Sequence, residues 1–589
     1  MHLNLHKIYN GVFALGLLAV ATSCVDNDYD LSKDIDLTVT VGGNLGIPSS
    51  STECYTLSRI LNLSANSSIQ PVGSQYGLAD GDYVLVQSGT PTSSSVSIPQ
   101  QKLNNISAAS ASIDIPYVMP ATGGNVAVEI PEFSTLISLS DNSIDKAVVS
   151  ISSAETDARI NLDLSMTAAQ LSGVATFKPG FAVEFPSACT IELAKAVNGV
   201  SVEGNKLVFN APVAVNVNSS LVLPLVIKKL DMTLLPEGQG LYAPGKFLFE
   251  QEISYGGPLS VRADGSSAGQ SGVLKLMIKP TVTEASIISV TGKINPQINV
   301  ASSSFAINGI PDFLKEPGNN LDVENPQIYL SVKNTSECEI DVNASLTAID
   351  DNGKRTKVWL GKEHNTAPIT VKPFSEMADG VTRICISTTG HGDSPADLYV
   401  AVPDLSKLIA TIPQRIIMDD IDVKVSQERD VTFRLGNYTF AVDYKAVVPL
   451  GFGPDLHFTY TTDEGGWDED LSDYSFKRAE ATFTVSNTVP LDMVPEVKAI
   501  DRQGRVINDV VATVEGKVLA GQLGAAKESK LAVTFTSDAK NIGNLDGVRF
   551  FFKATCGENA VGVPLNVNQS LKFTDIRLKL VGGVGVDLN

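Results

Sequence analysis

Between Arg159 and Met166 apolar and polar residues alternate without a break. Ile160, Leu162, Leu164 and Met166 fall on one side of an extended backbone, and Arg159, Asn161, Asp163 and Ser165 fall on the other. A period of two is that of a half-buried strand, whereas a helix would scatter the same apolar residues around its circumference. Ala111–Pro116 and Asn125–Pro131 repeat the pattern and each closes on a proline. Further strands are predicted at Val174–Phe177, Leu207–Asn210, Val213–Val217 and Ser220–Ile227, set apart by Gly, Pro or Asn. Helical signals are few: Tyr55–Leu63, then Pro311–Glu316 and Pro403–Ala410, which both open with Pro followed by Asp. Residues 88–95, rich in Ser, Gly and Pro, read as a loop. Strands do not alternate with long helices, so the pattern predicts an all-β chain of tandem antiparallel immunoglobulin-like β-sandwich domains with a few short helices.

Two stretches of the chain echo each other. Leu330-Ser-Val-Lys-Asn334-Thr335, followed by Ala348-Ile-Asp350-Asp-Asn-Gly353, matches Phe483-Thr-Val-Ser-Asn487-Thr488, followed by Ala499-Ile-Asp501-Arg-Gln-Gly504. The offsets are 153 residues for the asparagines and 151 for the glycines. A strand ending at a polar turn and a second strand ending in an Asp-x-x-Gly turn recur in the same order, which points to duplicated domains. A weaker third echo lies at Val149–Met166. A chain of 589 residues exceeds one hydrophobic core. The expected divisions are a signal at 1–23, an acidic tether at 24–45, an N-terminal β-rich domain at 46–135, a sandwich at 136–290, and two immunoglobulin-like repeats at 291–425 and 426–589. The first β-prone segment, Leu37–Val41, begins the folded body.

The run from Asn325-Pro326 through Asn334, with Ile340-Asp-Val342 after it, resembles the opening strands of WHy or LEA-like immunoglobulin-type sandwiches. The resemblance implies an architecture and transfers no binding residue. A second resemblance concerns the first thirty-six residues. Lys7 precedes the uncharged, mostly apolar run Gly11–Ala21, which suits a secretory signal and is far short of the roughly 20 residues needed to span a bilayer. Ala21-Thr22-Ser23-Cys24 and the acids that follow, Asp26, Asp28 and Asp30, resemble the signal and export tag of Bacteroidetes surface-exposed outer-membrane lipoproteins. The resemblance implies acylation at Cys24, a membrane partner reached through that anchor, and display on the cell surface. Each buried methylene of such an anchor contributes about 0.8 kcal/mol.

Removing the signal takes away Lys7 and no acid, which leaves 43 basic against 65 acidic residues and a formal charge of −22. That charge repels phosphate backbones and no dense basic run offsets it, so nucleic acid is excluded as a partner. With 43% hydrophobic residues, 19% charged residues and a mean hydropathy of +0.10, the chain can fold nearly throughout. Beyond Cys24 stand Cys54, Cys189, Cys338, Cys385 and Cys556. Only Cys338 and Cys385 lie within one expected domain. They form a disulfide in an oxidising compartment, or all five are thiols packed as small hydrophobes.

Chemistry is sparse. Gly265-Ser-Ser267-Ala-Gly269 matches the G-x-S-x-G pattern, but a nucleophile elbow needs a helix after the turn and here a strand, Val273–Ile278, follows. Of the histidines only His364, His391 and His457 outlast the signal, and none stands in a metal-ligand array; Glu363–His364 and His391–Asp393 are the nearest pairs. Six carboxylates crowd 463–473. Asp463, Glu464, Asp468, Asp470 and Asp473 are candidate ligands for Ca²⁺, or they form a solvated acidic turn. Trp467 within that loop and Trp359 are the two tryptophans; Trp467 is the candidate stacking platform for a sugar, and core packing is the other reading of both. No other cofactor is expected.

These features favour a non-enzymatic binding, adhesion or scaffold lipoprotein of the outer membrane, with a surface protein or a glycan as partner. The alternative is a glycan-capturing lipoprotein of a polysaccharide uptake system with Trp467 in its site, and a serine hydrolase acting through Ser267 comes third.

Overall fold

The computed structural model describes residues 39–41, 45–48, 54–90, 93–103, 105–235, 241–243, 245–361, 368–426, 428–464, 474–538, 542, 544–581 and 584–586. Strands dominate throughout, as the alternation predicts. The 159–166 pattern is part of a twenty-residue strand, Val148–Thr167, whose apolar side is sealed: Ile160, Leu162, Leu164 and Met166 are all at most 1% exposed. The helical signals become one short α-helix, Leu57–Leu61, and two 3₁₀ turns, Asp312–Lys315 and Leu405–Leu408. The expected loop at 88–95 differs. Residues 88 and 89 finish the strand Tyr83–Gly89 and 93–95 begin the strand Ser93–Ile98, because both pair with Gly436–Pro449.

Three sandwiches account for most strands. In the first, Val148–Thr167 sits between Ser219–Asp231 and Ser271–Glu284, and the facing sheet is built on Asn125–Asp141 paired with Lys246–Ala263. Phe177, Phe181 and Phe209 meet in its core with ring centroids 4.7 to 5.3 Å apart. In the second, Gln327–Asn334 lies between Val381–Ser387 and Gly436–Pro449, and Ile340–Ile349 lies between Arg355–Leu360 and Arg415–Val425. Phe305 and Tyr444 join those two sheets at 4.8 Å. In the third, Arg478–Asn487 lies between Lys527–Ser537 and Ser570–Val581, opposite a sheet of His457–Glu464, Gly547–Cys556 and Leu491–Ile500.

The sandwiches are nested in sequence. Leu45–Pro48 and Tyr55–Thr56 pair with Ser570–Val581 in the third. Ile69–Pro71, Tyr83–Gly89 and Ser93–Ile98 belong to the second, while Asn105–Ala108 and Ala111–Val118 belong to the first. The stretch expected as an N-terminal domain at 46–135 is thus shared among all three. Periodicity marks a strand and carries no information about its partner, which is why local boundaries did not reveal the sharing. The joints are made of backbone. Tyr83 N donates to Leu565 O and Val567 N to Gly81 O, with the buried Asn566 side chain donating to Asp82 Oδ1 at 2.9 Å. Val431–Arg434 crosses to pair with Ser289–Gly292 of the first sandwich.

The internal repeat is reproduced bond for bond. Asn334 Nδ2 donates to the carbonyls of Cys338 and Lys372, and its Oδ1 accepts from Ser336 N. Asn487 Nδ2 donates to the carbonyls of Leu491 and Leu519, and its Oδ1 accepts from Val489 N. Thr335 and Thr488 then make matching reciprocal bonds to Thr439 and Ser570. Asp350 and Asp501 each fold the next turn by accepting two amides, with Gly353 and Gly504 at φ +79° and +70°, where a side chain would be strained. The third echo at Val149–Met166 falls on the strand after the equivalent polar residue, Asp141, whose Oδ1 accepts from Ser143 N and Oγ.

Candidate functional site

Trp359 lies on Arg355–Leu360, the edge strand of its sheet, and is 36% exposed, so it is not a core residue. Side chains two apart on a strand share a face, and Lys357 accordingly reaches over the indole, with Nζ 4.1 Å from the ring centroid. The same ammonium is 2.5 Å from Asp420 Oδ2, which also accepts the Ser345 hydroxyl at 2.6 Å. Asp420 sits at φ +49°, where the pairing of Ile340–Ile349 with Arg415–Val425 slips between Asn343 and Ser345. The bulge turns its carboxylate onto the face it shares with Trp359 and Lys357. The spacing Lys357-x-Trp359 was visible in the sequence. Asp420 and Ser345 arrive by sheet pairing from 61 and 14 residues away, and no local signal announces them.

A polar cavity of about 190 Å³ opens where the chain leaves the second sandwich for the first, lined by Glu339, Ser426, Glu428, Arg429 and Val431. Two of its charges are paired across the rim: Arg429 to Glu376 at 2.7 Å, and Glu339 to Lys372 at 3.7 Å, with Lys372 also 3.9 Å from Glu376. The Arg429 guanidinium holds the Glu376 carboxyl below its usual range.

Ser267 is 3% exposed and lies in a 3₁₀ turn, Gly265–Ser267. Its Oγ accepts from Ser172 N at 2.9 Å and donates to Gln170 O at 3.4 Å, tying two loops of the first sandwich together. Both roles of the hydroxyl are used structurally.

Cys338 and Cys385 are both buried thiols, so the expected disulfide is corrected. Cys385 stands opposite Tyr329, whereas the carbonyl of Cys338 is bonded by Asn334. Five strand residues separate those two points, roughly 16 Å at ~3.3 Å each, and a disulfide requires Cα atoms within ~7 Å. Burial pushes the Cys338 thiol up to about 11 and that of Cys189 to about 12. The alternative of five packed thiols holds for Cys189, Cys338 and Cys385, while Cys54 is exposed and Cys556 half-buried.

Of the proposed calcium ligands, Asp463 is engaged otherwise: both its oxygens are held by Arg549. Glu464 ends the strand His457–Glu464, and its side chain, with Trp467, Asp468, Asp470 and Asp473, lies outside the described residues. Among the described residues no cluster of three or more His, Cys, Asp or Glu side chains is placed to hold a metal. Asp393 accepts from the Gln327 amide, His391 is exposed, and Glu363 and His364 lie outside the described residues. Cys24 does too. Among the described residues no helix is long and apolar enough to cross a membrane.

No protein-family model matches the chain, and no curated protein matches it. Among solved structures it is similar to a protein of Parabacteroides distasonis assigned as secreted, with a TM-score of 0.36 and 18% sequence identity over 50% of this chain and 83% of the other.

Proposed function

We propose that the chain is a lipid-anchored outer-membrane protein that works at the cell surface by binding, as an adhesin or scaffold, and not by catalysis. The observation that carries this reading is the pairing of Val39–Val41 with Val584–Val586 and of Leu45–Pro48 with Arg577–Leu580. An acyl chain on Cys24 would therefore tether the third sandwich. Residues 25–38 would let it stand up to roughly 50 Å from the bilayer at ~3.5 Å per residue. The second sandwich is joined to the third, and the first to the second, through backbone hydrogen bonds, which suits a protein that presents a surface. The spent hydroxyl of Ser267 and the paired charges at the polar cavity favour contact over chemistry. Mass spectrometry of the native protein tests the anchor: the expected mature chain begins at an acylated Cys24, and Cys24→Ser releases it from membranes. Protease added to intact cells should degrade it. An unmodified first residue elsewhere, or protection from protease, would overturn the reading.

A further inference from the structure

The chain passes from the third sandwich to the second at 62–66 and returns between Pro449 and His457. The two crossings differ in cover. On the return, Leu450, Phe452 and Leu456 are buried. On the way out, Asn62, Ser64, Ala65 and Asn66 are exposed, and the backbone bonds are local, Asn62 N to Ser58 O and Ser67 N to Ser64 O. Exposed stretches of small and polar residues are where proteases cut. We propose that residues 39–61 are a strap that keeps the molecule on its anchor by strand pairing after a cut in 62–66, so that proteolysis there turns a permanent attachment into a reversible one. The proposal rests on the reading of Cys24 as the lipid anchor.

Hydrolysis of the Ala65–Asn66 bond consumes one water and leaves a carboxylate on Ala65 and an amino group on Asn66. The anchor then stays with the piece ending at Ala65, and the three sandwich bodies belong to 66–589. What still joins the pieces is the pairing of Val39–Val41 with Val584–Val586, of Leu45–Pro48 with Arg577–Leu580, and of Tyr55 and Thr56 with Leu571 and Ser570. Leu57 N adds a bond to Gln569 O at 2.8 Å, and the short helix seats Leu57 and Leu61 in the core at 5% and 6% exposed. Tyr55 meets the Phe573 ring edge-on at 6.0 Å. Apolar burial of this kind holds without help from charge, so salt does not loosen it as it loosens exposed ion pairs. Release is provided for by position. Leu45–Pro48 is an edge strand, and Ser570–Val581 keeps Arg478–Asn487 on its other side, so the strap can peel away without opening the sheet behind it. The edge it leaves is a bare template for another strand.

The test uses the full chain on its native membranes, with the recognition sequence of a site-specific protease inserted between Ala65 and Asn66. After complete cutting, the 66–589 piece should sediment with the membranes through washes in about 1 M salt, where exposed charges are screened, and should leave when denaturant is added. Leu57→Ala should sediment while uncut and shed the piece about tenfold faster or more once cut. Gly46→Cys with Lys579→Cys places two thiols at directly opposed strand positions, and the bridge should restore retention to the cut Leu57→Ala chain until a reductant is added. The proposal is overturned if the cut parent sheds the piece as fast as cut Leu57→Ala, or if the piece is retained only when bridged. Should the uncut chain itself fail to sediment, the anchor reading falls and gel filtration of the cut chain decides for the strap: co-elution of the two pieces supports it, and separation overturns it.

Discussion

Asp463 and Arg549 stand directly opposite each other on neighbouring strands, and the guanidinium meets the carboxylate through two parallel bonds of 2.6 Å. Arg549 also donates to Gly504 O, so it ties this strand pair to the Asp501 turn. The pair holds the Asp463 carboxyl below its usual range. A depressed carboxylate stabilises the fold fully at neutral pH, and the contribution fades as pH falls below the ordinary value of about 3.9 toward the depressed one. Arg549→Ala should cost about 1 kcal/mol in urea melts at pH 7, given the partial exposure of both groups, and less at pH 3. An equal gap at the two pH values would rule the ion pair out as its source.

Asn334→Ala and Asn487→Ala should each cost about 2–3 kcal/mol, because each strips partners from one buried and one part-buried carbonyl and from a buried amide. Hydrogen exchange should localise the damage to the second sandwich for one variant and the third for the other. A cost under about 0.5 kcal/mol would mean that water replaces the lost bonds.

A maleimide added to the folded protein at pH 7.5 should label Cys54 quickly and leave Cys189, Cys338 and Cys385 unmodified until denaturant is present, since burial both shields these thiols and raises their pKa. Non-reducing peptide mapping should find no Cys338–Cys385 bridge.

Ser267→Ala leaves the Ser172 amide without its acceptor and should lower stability by about 1–2 kcal/mol. A fluorophosphonate probe should not label Ser267 in the native protein. Labelling would reopen the hydrolase reading.

Deleting residues 39–56 should loosen strand Ser570–Val581, more than 500 residues away in sequence, and spare Val148–Thr167. Amide exchange resolved by peptide would show protection lost in the former alone. Uniform loss would mean that the three sandwiches unfold as one unit.

What could be read from the chain was whatever repeats within a few residues or between copies. Ile160 to Met166 announces its strand because one face is buried, and the Asn334 and Asn487 turns announce a duplication because the same buried bonds demand the same residue types. Relationships across the sheet were illegible. Asp463 looked like a cation ligand because its neighbours in sequence are acidic, while its partner, Arg549, lies 86 residues on. Cys338 and Cys385 looked close because sequence distance ignores the direction of the strand between them. Trp359 could be noticed but not placed, since the carboxylate beside it comes from a distant bulge.

The interleaving of the three sandwiches sets a timetable for biosynthesis. As the polypeptide emerges amino end first, the segment that pairs with Arg577–Leu580 is among the earliest to appear and among the last to find its partner. The 111–294 portion can close early, but Tyr83–Gly89 keeps one edge open until Tyr444–Pro449 is made, and Leu45–Pro48 waits until translation is nearly done. Unpaired edges are templates for mispairing with other nascent copies. The yield of the protein in a foreign host should therefore depend on how well those edges are kept apart during synthesis more than on the stability of the finished molecule.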